Sequence, residues 1–282
     1  MAPPPADALI VGCGYLGRRV AARWVAAGRR VAALTRGNAA ALAALGVEPV
    51  VGDVLDPDSL RDLPAAATVL YAVGMDRGQG RSMREVYVDG LAHVLGTIPP
   101  PARFIYVSST GVYGQTDGGP IDEASPTEPT EESGKIVLDA ERLLRVKVPG
   151  AIVLRFAGIY GPDRLLRKQP LLKGEPLVGD AEKWLNLIHV EDGAAAVLAA
   201  EARGVADETY LVADDEPVRR RDFYTRLAEL LGAPPARFEQ RPETGAANRR
   251  VLNRKARERL GWVPRFSSYR EGLPAAIAES IM

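Results

Sequence analysis

Residues 8–34 read ALIVGCGYLGRRVAARWVAAGRRVAAL, and this stretch decides the fold. The apolar run from Ala8 to Val11 is followed by closely spaced glycines and by an alanine-rich amphipathic segment, Leu16 to Ala27. After Gly28 a second apolar run begins, Val31 to Leu34. Short apolar runs separated by a helical pattern are typical of a parallel sheet. The stretch therefore predicts a strand, a glycine turn, a helix and a second strand, which together form a βαβ unit.

The same alternation continues through the first half of the chain. Further strands are predicted at Pro49–Val51, Thr68–Ala72, Arg103–Ser108 and Ala151–Phe156, and further helices at Ala39–Leu45, after Pro57, at Met83–Leu95 and from about Gly134 to Val146. The strand runs are apolar throughout, as expected where helices cover both faces of a sheet. The sequence thus predicts an α/β fold with a Rossmann-type doubly wound parallel sheet.

The regular alternation stops after residue 156. From Tyr160 to Trp184 glycines, prolines and basic residues follow no clear period, and the chain beyond Asp214 mixes helices such as Arg220–Leu231 with proline-rich connections. We expect a small C-terminal substrate lobe over the carboxyl edge of the sheet, where open α/β sheets bind ligands. The predicted division assigns residues 1–156 and 186–213 to the sheet domain and residues 157–185 and 214–282 to the smaller lobe.

Composition limits the partners and the compartment. The chain has 282 residues with 36 basic and 36 acidic side chains, so no net charge attracts nucleic acid or a membrane surface. Its single cysteine, Cys13, has no partner for an internal disulfide and is predicted to fill space in its loop. No spacing suggests a metal site. The expectation is a cytoplasmic monomer or homodimer that acts on a small molecule, without nucleic-acid or membrane partners.

Residues 12–17, GCGYLG, carry the pattern G-x-G-x-x-G between a predicted strand and helix. In this context Gly12 permits a tight turn, Gly14 lets the backbone approach a pyrophosphate, and Gly17 lets the helix pack on the strand. The helix N-terminus, at Tyr15 and Leu16, presents unpaired N–H groups to an anion. The sequence therefore predicts that these five residues bind a dinucleotide.

The end of the second strand predicts which dinucleotide is preferred. An acidic side chain there would bind the ribose 2′-hydroxyl of NAD, but residues 35–38 read TRGN. The guanidinium of Arg36 can pair with a 2′-phosphate, which favours NADP(H) over NAD(H), although a solvated surface arginine is the alternative. Asp53, followed by Val54, is expected to meet the adenine amino group, with a plain turn aspartate as the alternative.

Five motifs in order resemble a known group of enzymes. They are the glycine loop, Gly52–Val54 (GDV), Ser108–Gly114 (SSTGVYG), Arg155–Pro162 (RFAGIYGP) and Asn186–Asp192 (NLIHVED). This series is similar to the signatures of the extended short-chain dehydrogenase/reductase superfamily, the NAD-dependent epimerases and dehydratases, and it spans nearly the whole chain. The resemblance implies a Rossmann fold and an NAD(P) cofactor.

The catalytic pair of that superfamily is missing by this alignment. Its members usually carry Y-x-x-x-K on the helix after the VYG loop, where the tyrosine moves a proton and the lysine lowers its pKa. Anchored on Gly134, the tyrosine position falls on Ser133 and the lysine position on Val137, while an asparagine that often precedes them falls on Tyr87. The chain therefore resembles an atypical member. Lys135 lies two residues from Ser133, on another helix face.

The resemblance leaves three candidate catalytic residues. Ser109 matches a position whose hydroxyl bonds a substrate oxygen and Thr110 lies beside it, although a polar strand end is the alternative for both. Tyr113 is expected in a loop at the carboxyl edge of the sheet, where its phenol would approach a substrate unless it packs.

Further residues are candidates for binding the substrate. Ser133, Tyr160 and Arg164 are expected to contact it, and Arg164 forms a basic cluster with Arg167 and Lys168 that would pair with a phosphate or carboxylate. His189, expected at a strand start, is interpreted as a structural hydrogen-bonding residue rather than a general base, and His93 as a core-edge residue.

Two functions remain open. The first is an NADP(H)-binding epimerase/dehydratase-like enzyme or reductase with non-standard proton transfer, acting on a small polar substrate, a class that includes nucleotide sugars. The alternative is a catalytically inactive NADP(H)-binding sensor or regulatory protein. Retention of Ser109 favours the enzyme, and loss of the tyrosine and lysine favours the sensor.

Overall fold

The computed structural model describes residues 4–75, 78, 80–240 and 246–281. Its centre is one sheet of seven parallel strands in the order β3-β2-β1-β4-β5-β6-β7. The strands are β1 (Ala6–Val11), β2 (Val31–Thr35), β3 (Glu48–Val51), β4 (Ala66–Tyr71), β5 (Arg103–Ser109), β6 (Ile152–Phe156) and β7 (Thr209–Val212). The strand order reverses direction at β1 and β4, so the predicted doubly wound α/β fold is confirmed.

Helices connect and cover these strands. They are α1 (Tyr15–Ala26), α2 (Ala39–Ala43), α3 (Gly90–Thr97), α4 (Glu132–Lys147), α5 (Lys168–Leu172), α6 (Val190–Arg203), α7 (Arg220–Leu231), α8 (Arg254–Leu260) and α9 (Tyr269–Ile281). In the part of the chain that the structure describes, no helix has the length and apolar character needed to cross a membrane.

The two faces of the sheet bury separate apolar clusters. Along β1, Ala8 and Ile10 belong to the cluster that contains Val20 of α1, whereas Leu9 and Val11 belong to the cluster on the other face. Alternation with a period of two is the geometry of a strand whose faces are both covered. This is why the strand runs are apolar throughout.

Residues after β6 build a further apolar cluster, in which short strand pairs take part. Gly158–Tyr160 pairs in parallel with Leu187–His189, and Trp184–Leu185 pairs with Val218–Arg219 in the antiparallel sense. Two further two-residue pairs join Leu177–Val178 to Phe238–Glu239 and Pro120–Ile121 to Arg250–Val251. The apolar residues of α7 and α9 pack with Tyr160 and Leu187, and the elements around this cluster are called the second lobe below.

The packing of the C-terminal residues bears on the two-lobe division, which stays a prediction. Ala256 and Leu260 of α8 and the following Trp262 belong to the cluster on the sheet, not to that of the second lobe. The indole Nε1 of Trp262 donates to the carbonyl of Asp192 in α6 at 3.1 Å. Residues 254–262 therefore pack as part of the sheet domain, although the sequence assigns them to the smaller lobe.

Several local expectations need correction. The helix expected at Met83–Leu95 contains a π-helical turn, Glu85–Asp89, before α3 begins. The helix expected after Pro57 is a single 3₁₀ turn, Pro57–Leu60, in which the Asp56 carboxylate accepts a hydrogen bond from the N–H of Asp58. His189 ends a short strand and caps α6, rather than starting a strand.

Candidate nucleotide cleft and active site

A cleft of about 840 Å³ opens at the carboxyl edge of the sheet. Its walls come from the loops that follow β1, β2, β3, β4, β5 and β6, because the carboxyl ends of parallel strands meet at one edge. The predicted cofactor residues Gly12, Gly14, Tyr15, Leu16, Arg36, Asp53 and Val54 all line this cleft, and so do Ser109, Val137 and Arg164.

The glycine loop has the geometry that close approach of an anion requires. Gly12 has φ +93°, and a Cβ on it would lie 2.5 Å from the backbone carbonyl carbon of Ala72 in the loop after β4. A Cβ on Gly17 would lie 2.7 Å from the carbonyl oxygen of Gly12, so Gly17 packs the helix on the loop without lining the cleft. A Cβ on Gly14 would meet nothing within 4 Å. The space in front of the α1 N-terminus is open, and α1 has no acidic residue in its first turn, so the loop fits a pyrophosphate.

The loop after β2 is built without an acidic side chain. The Thr35 hydroxyl accepts hydrogen bonds from the N–H groups of Gly37 and Asn38, at 3.4 and 3.0 Å, and so fixes the turn. Arg36 is exposed within this turn and lines the cleft. In the loop after β3, which forms the neighbouring wall, Asp53 uses one carboxylate oxygen to accept from the N–H of Leu55 at 3.0 Å.

At the other end of the cleft, Ser109 ends β5 and is half-buried. Its Oγ accepts a hydrogen bond from the N–H of Gly111 at 3.0 Å, so its own proton is left to donate elsewhere. Val137 of α4 also lines the cleft, whereas Ser133 is exposed and lies outside it. Lys135 is exposed as well, 3.8 Å from Glu132. None of the nine tyrosines of the chain is followed by a lysine four residues later.

Four residues with an expected role in chemistry or substrate binding do not line the cleft: Thr110, Tyr113, Ser133 and Tyr160. Thr110 is buried, and its carbonyl accepts from a guanidinium nitrogen of Arg249 at 2.6 Å. Tyr113 is fully buried because its ring packs in an apolar cluster with Val112 and Leu138. Tyr160 lies in a short strand, not in a loop, and packs in the second lobe. Thr110, Tyr113 and Tyr160 therefore have packing positions, and Ser133 is exposed outside the cleft.

A buried ion pair supports the floor of the cleft, and the sequence did not reveal it. Glu141 of α4 and Arg155 of β6 are joined by two hydrogen bonds, 3.0 and 2.6 Å, and both side chains are less than a tenth exposed. Ser108, which lines the cleft, donates to Glu141 at 2.5 Å, and Arg155 donates to the Tyr113 hydroxyl at 2.7 Å. Burial raises the pKa of Tyr113, which stays a neutral phenol in this network. The network fixes α4 against β5 and β6 below Val137.

Three tyrosines line the cleft, and their hydroxyls differ. The Tyr15 hydroxyl donates to the carbonyl of Pro162 at 2.8 Å, and burial raises its pKa to about 12. Tyr106 is buried and stacks on Tyr71 with 5.6 Å between ring centroids. Tyr87, on the π-helical turn, is half-buried, and its oxygen accepts from the N–H of Met75 at 3.1 Å. Tyr87 is the functional candidate that sequence reasoning passed over, although its replacement of asparagine was a signal.

The surroundings of the remaining titratable candidates, two histidines and a cysteine, indicate structural roles. His189 is fully buried, its Nδ1 accepts from the N–H of Glu191 at 3.4 Å, and burial lowers its pKa to about 4. His93 places Nδ1 2.9 Å from the carbonyl of Val54. Burial raises the pKa of Cys13 to about 11, so its thiol stays protonated. Across the described residues, no group of three or more His, Cys, Asp or Glu side chains is placed to hold a metal ion.

Comparison with known proteins decides the family. The model of the NAD dependent epimerase/dehydratase family matches residues 8–213, which include the whole cleft. The chain belongs to this family. Protein YeeZ of Escherichia coli K12, a relative of this epimerase/dehydratase chain, is 32% identical over 253 residues, which cover 84% of this chain and 88% of YeeZ.

Two further similarities describe the range of the NAD dependent epimerase/dehydratase relatives. A 4-hydroxy-2-methyl-3-oxo-4-farnesyl-3,4-dihydroquinoline-1-oxide ketoreductase from Stigmatella aurantiaca is 29% identical over 241 residues, covering 78% of this chain and 72% of the ketoreductase. The dTDP-glucose 4,6-dehydratase DesIV of Streptomyces venezuelae, solved as a double mutant with NAD and DAU bound, superposes with a TM-score of 0.82. At 23% identity, over 96% of this chain and 95% of DesIV, that likeness shows the fold alone.

Proposed function

We propose that this protein is an NADP(H)-dependent enzyme of the epimerase/dehydratase family that acts as a reductase or epimerase-like catalyst on a small polar substrate, a class that includes nucleotide sugars. The observation that carries the proposal is that one cleft holds both a glycine loop with an open face and Ser109 with Tyr87. The first part suits a dinucleotide, and the second presents hydroxyl groups to a reacting oxygen.

For each part of the dinucleotide, the cleft has residues that would bind it. The N–H groups at Gly14 and Tyr15 would bind the pyrophosphate, and Asp53 and Val54 would flank the adenine end. Arg36, at the end of β2, would bind a 2′-phosphate with its planar fork, since residues 35–38 have no acid to bind a free hydroxyl there. When bound, the nicotinamide supplies the hydride that the reaction transfers.

Proton transfer is assigned to Tyr87 by comparing the three phenols of the cleft. The Tyr15 proton is used in the bond to Pro162, and Tyr106 is buried in a stack with Tyr71. The Tyr87 oxygen instead accepts from Met75, which leaves its proton for a substrate oxygen. Ser109 would bind the same oxygen and orient it. This pair replaces the chemistry that Ser133 and Val137 lack.

Isothermal titration calorimetry with NADPH and NADH tests the cofactor assignment. We expect the wild type to prefer NADPH, and Arg36→Ala to weaken NADPH binding about tenfold to a hundredfold while NADH binding changes little, because only NADPH carries the phosphate. Arg36→Lys should retain part of the preference, since it keeps the charge but loses the fork.

Arg61→Ala is the matched control, because Arg61 is an exposed arginine paired with Asp58 outside the cleft. Equal loss of NADPH and NADH affinity in Arg36→Ala would show that Arg36 does not recognise the 2′-phosphate. Absence of binding of either nucleotide to the wild type would contradict the proposed function as a whole.

A second function, a catalytically inactive NADP(H)-binding sensor, is favoured by one observation. Val137 lines the cleft at the position where the resemblance places the catalytic lysine, and it carries no charge. A sensor would bind NADPH as tightly as the enzyme would, but it would oxidise none on a panel of carbonyl compounds and nucleotide sugars. Turnover above the background rate with any of them would exclude it.

A further inference from the structure

The turn at residues 161–164, which follows β6, contacts Tyr15 of the glycine loop. The Tyr15 hydroxyl donates to the Pro162 carbonyl in this turn, and a Cβ on Gly161 would lie 2.7 Å from the same hydroxyl oxygen. Gly161 and Arg164 form an isolated antiparallel bridge, which fixes the turn. A residue of the cofactor loop thus holds a segment that follows β6.

Two arginines lie over the Tyr15 ring, and only one of them forms an ion pair in the described structure. The guanidinium carbon of Arg19 is 4.3 Å from the ring centroid, and Arg19 is paired with Glu191 at 2.6 Å. The guanidinium carbon of Arg164 is 5.3 Å from the same centroid, and Arg164 lines the cleft. No ion pair of Arg164 occurs among the residues that the structure describes.

A guanidinium that has no ion-pair partner in the described structure and lies beside an open glycine face is suited to an anion. Tyr15 directly follows Gly14, whose side toward the cleft is open, and it is the first residue of α1, whose N–H groups attract the same kind of charge. A guanidinium binds two phosphate oxygens at once, and stacking on an aromatic ring orients its plane. The sequence predicts a substrate anion for Arg164, but the contact with Tyr15 points to an anion at the glycine loop.

We infer that Arg164 binds the pyrophosphate of the dinucleotide from the 161–164 turn, with the Tyr15 ring as its platform. This inference rests on the proposed NADP(H) site. It assigns cofactor binding to both lobes: the glycine loop supplies backbone N–H groups, and the chain after β6 supplies the cation.

Titration of Arg164→Ala with NADPH tests the inference. We expect the dissociation constant to rise about tenfold, because a charge-assisted hydrogen-bonding group is lost at an exposed site. Arg164→Lys should recover part of the affinity. Adenosine 2′-monophosphate, which lacks the pyrophosphate, should bind Arg164→Ala as well as it binds the wild type, whereas Arg36→Ala should lose affinity for it.

Arg167→Ala is the control within the same segment, since Arg167 is exposed and lies outside the cleft. If the wild type binds NADPH and Arg164→Ala binds it within twofold of the wild type, the inference is wrong and the proposed function stands. Equal loss of NADPH and adenosine 2′-monophosphate in Arg164→Ala would also overturn it, because the effect would then not lie at the pyrophosphate. Failure of the wild type to bind NADPH is a separate result, which removes the proposed function itself.

Discussion

Tyr87 shows how one side chain gains a role from a local irregularity of the backbone. The sequence predicts a regular helix over Met83–Leu95, and Tyr87 lies where that regularity breaks. The π-helical turn at Glu85–Asp89 inserts an extra residue into the helix, and such turns occur often at functional sites. Sequence periodicity cannot reveal a single inserted residue, so the motif-bearing residues are predictable, whereas the signal for Tyr87 is limited to its place at an asparagine position.

Substitution of Tyr87 tests its assignment as the proton donor. With a carbonyl substrate that the wild type reduces, Tyr87→Phe should lower kcat about a hundredfold, since a positioned acid contributes at least that much, while the NADPH dissociation constant stays unchanged. Ser109→Ala should lower kcat and raise KM together, because it removes a contact with the reacting oxygen. The measurement is NADPH oxidation at saturating cofactor over a range of substrate concentrations.

Tyr224→Phe is the matched control for this pair of variants, because Tyr224 is buried in the core of the second lobe. A kcat for Tyr87→Phe equal to that of the wild type would remove Tyr87 from the mechanism. Unequal NADPH affinities would indicate that the substitution disturbs the cofactor wall, and the kcat effect would then not be evidence for proton transfer.

At the scale of elements, α4 is positioned by the glycine in its first turn. A Cβ on Gly134 would lie 2.3 Å from the carbonyl oxygen of Gly111 and 2.7 Å from Cβ of Pro129. The helix therefore packs directly on the turn that follows Ser109, and this contact sets how far Val137 reaches into the cleft. Gly134 is also the residue from which the resemblance assigns Ser133 and Val137 to the tyrosine and lysine positions, and that assignment stays a prediction.

Gly134→Ala should consequently loosen both the helix and the cleft. The clash is with backbone, which cannot rotate away, so we expect the free energy of unfolding to fall by about 1–3 kcal/mol. Urea denaturation followed by circular dichroism measures this loss. Ser133→Ala, one residue earlier on the exposed side, should change neither stability nor NADPH affinity. A loss of NADPH affinity in this variant would indicate that Ser133 does belong to the site.

The strands of the central sheet and long helices such as Arg220–Leu231 could be predicted closely, and the short strand pairs could not. The βαβ unit at residues 8–34 has the predicted elements within two residues, because each strand is apolar on both faces and the helix is amphipathic. The short pairs of the second lobe are two or three residues long and join segments far apart in sequence. Such pairs have no periodicity of their own, and tertiary packing alone specifies them.

At the scale of the whole molecule, buried polar atoms without a hydrogen bond occur where the second lobe meets the sheet. The Tyr160 hydroxyl, Nε2 of His189 and Oδ2 of Asp214 are buried and make no hydrogen bond within the described structure. Tyr160 and His189 are in edge-to-face contact at 5.4 Å. Burial, together with the neighbouring Asp215, Glu216 and Asp192, raises the pKa of Asp214 to about 8, against the hydrogen bond from Glu216 N–H.

These shifts predict a decline in stability between pH 6.5 and pH 8. In the unfolded chain the Asp214 pKa is about 3.9, so above that pH only the folded state holds the proton, and the stabilisation is lost as pH rises through about 8. The lowered pKa of His189 has the opposite effect, but only below about 6.5, where the unfolded imidazole gains a proton. Urea unfolding of the wild type at pH 6.5 and 8 measures the decline.

Asp214→Asn should abolish that decline, because an amide has no proton to lose in this range. His189→Asn is a less suitable comparison, since it also removes the cap of α6. If wild type and Asp214→Asn showed the same pH dependence from 6.5 to 8, another group would be responsible and the raised pKa of Asp214 would be refuted.

The placement of Val137 in the cleft has a consequence for protein engineering. Ser133 lies four residues before it on α4, and residues with this spacing share a helix face. The helix, its anchor at Gly134 and its buried support through Glu141 are all intact. Ser133 and Val137 are the positions to which the resemblance assigns the tyrosine–lysine pair, so Ser133→Tyr and Val137→Lys can be combined on one helix without redesign of the fold.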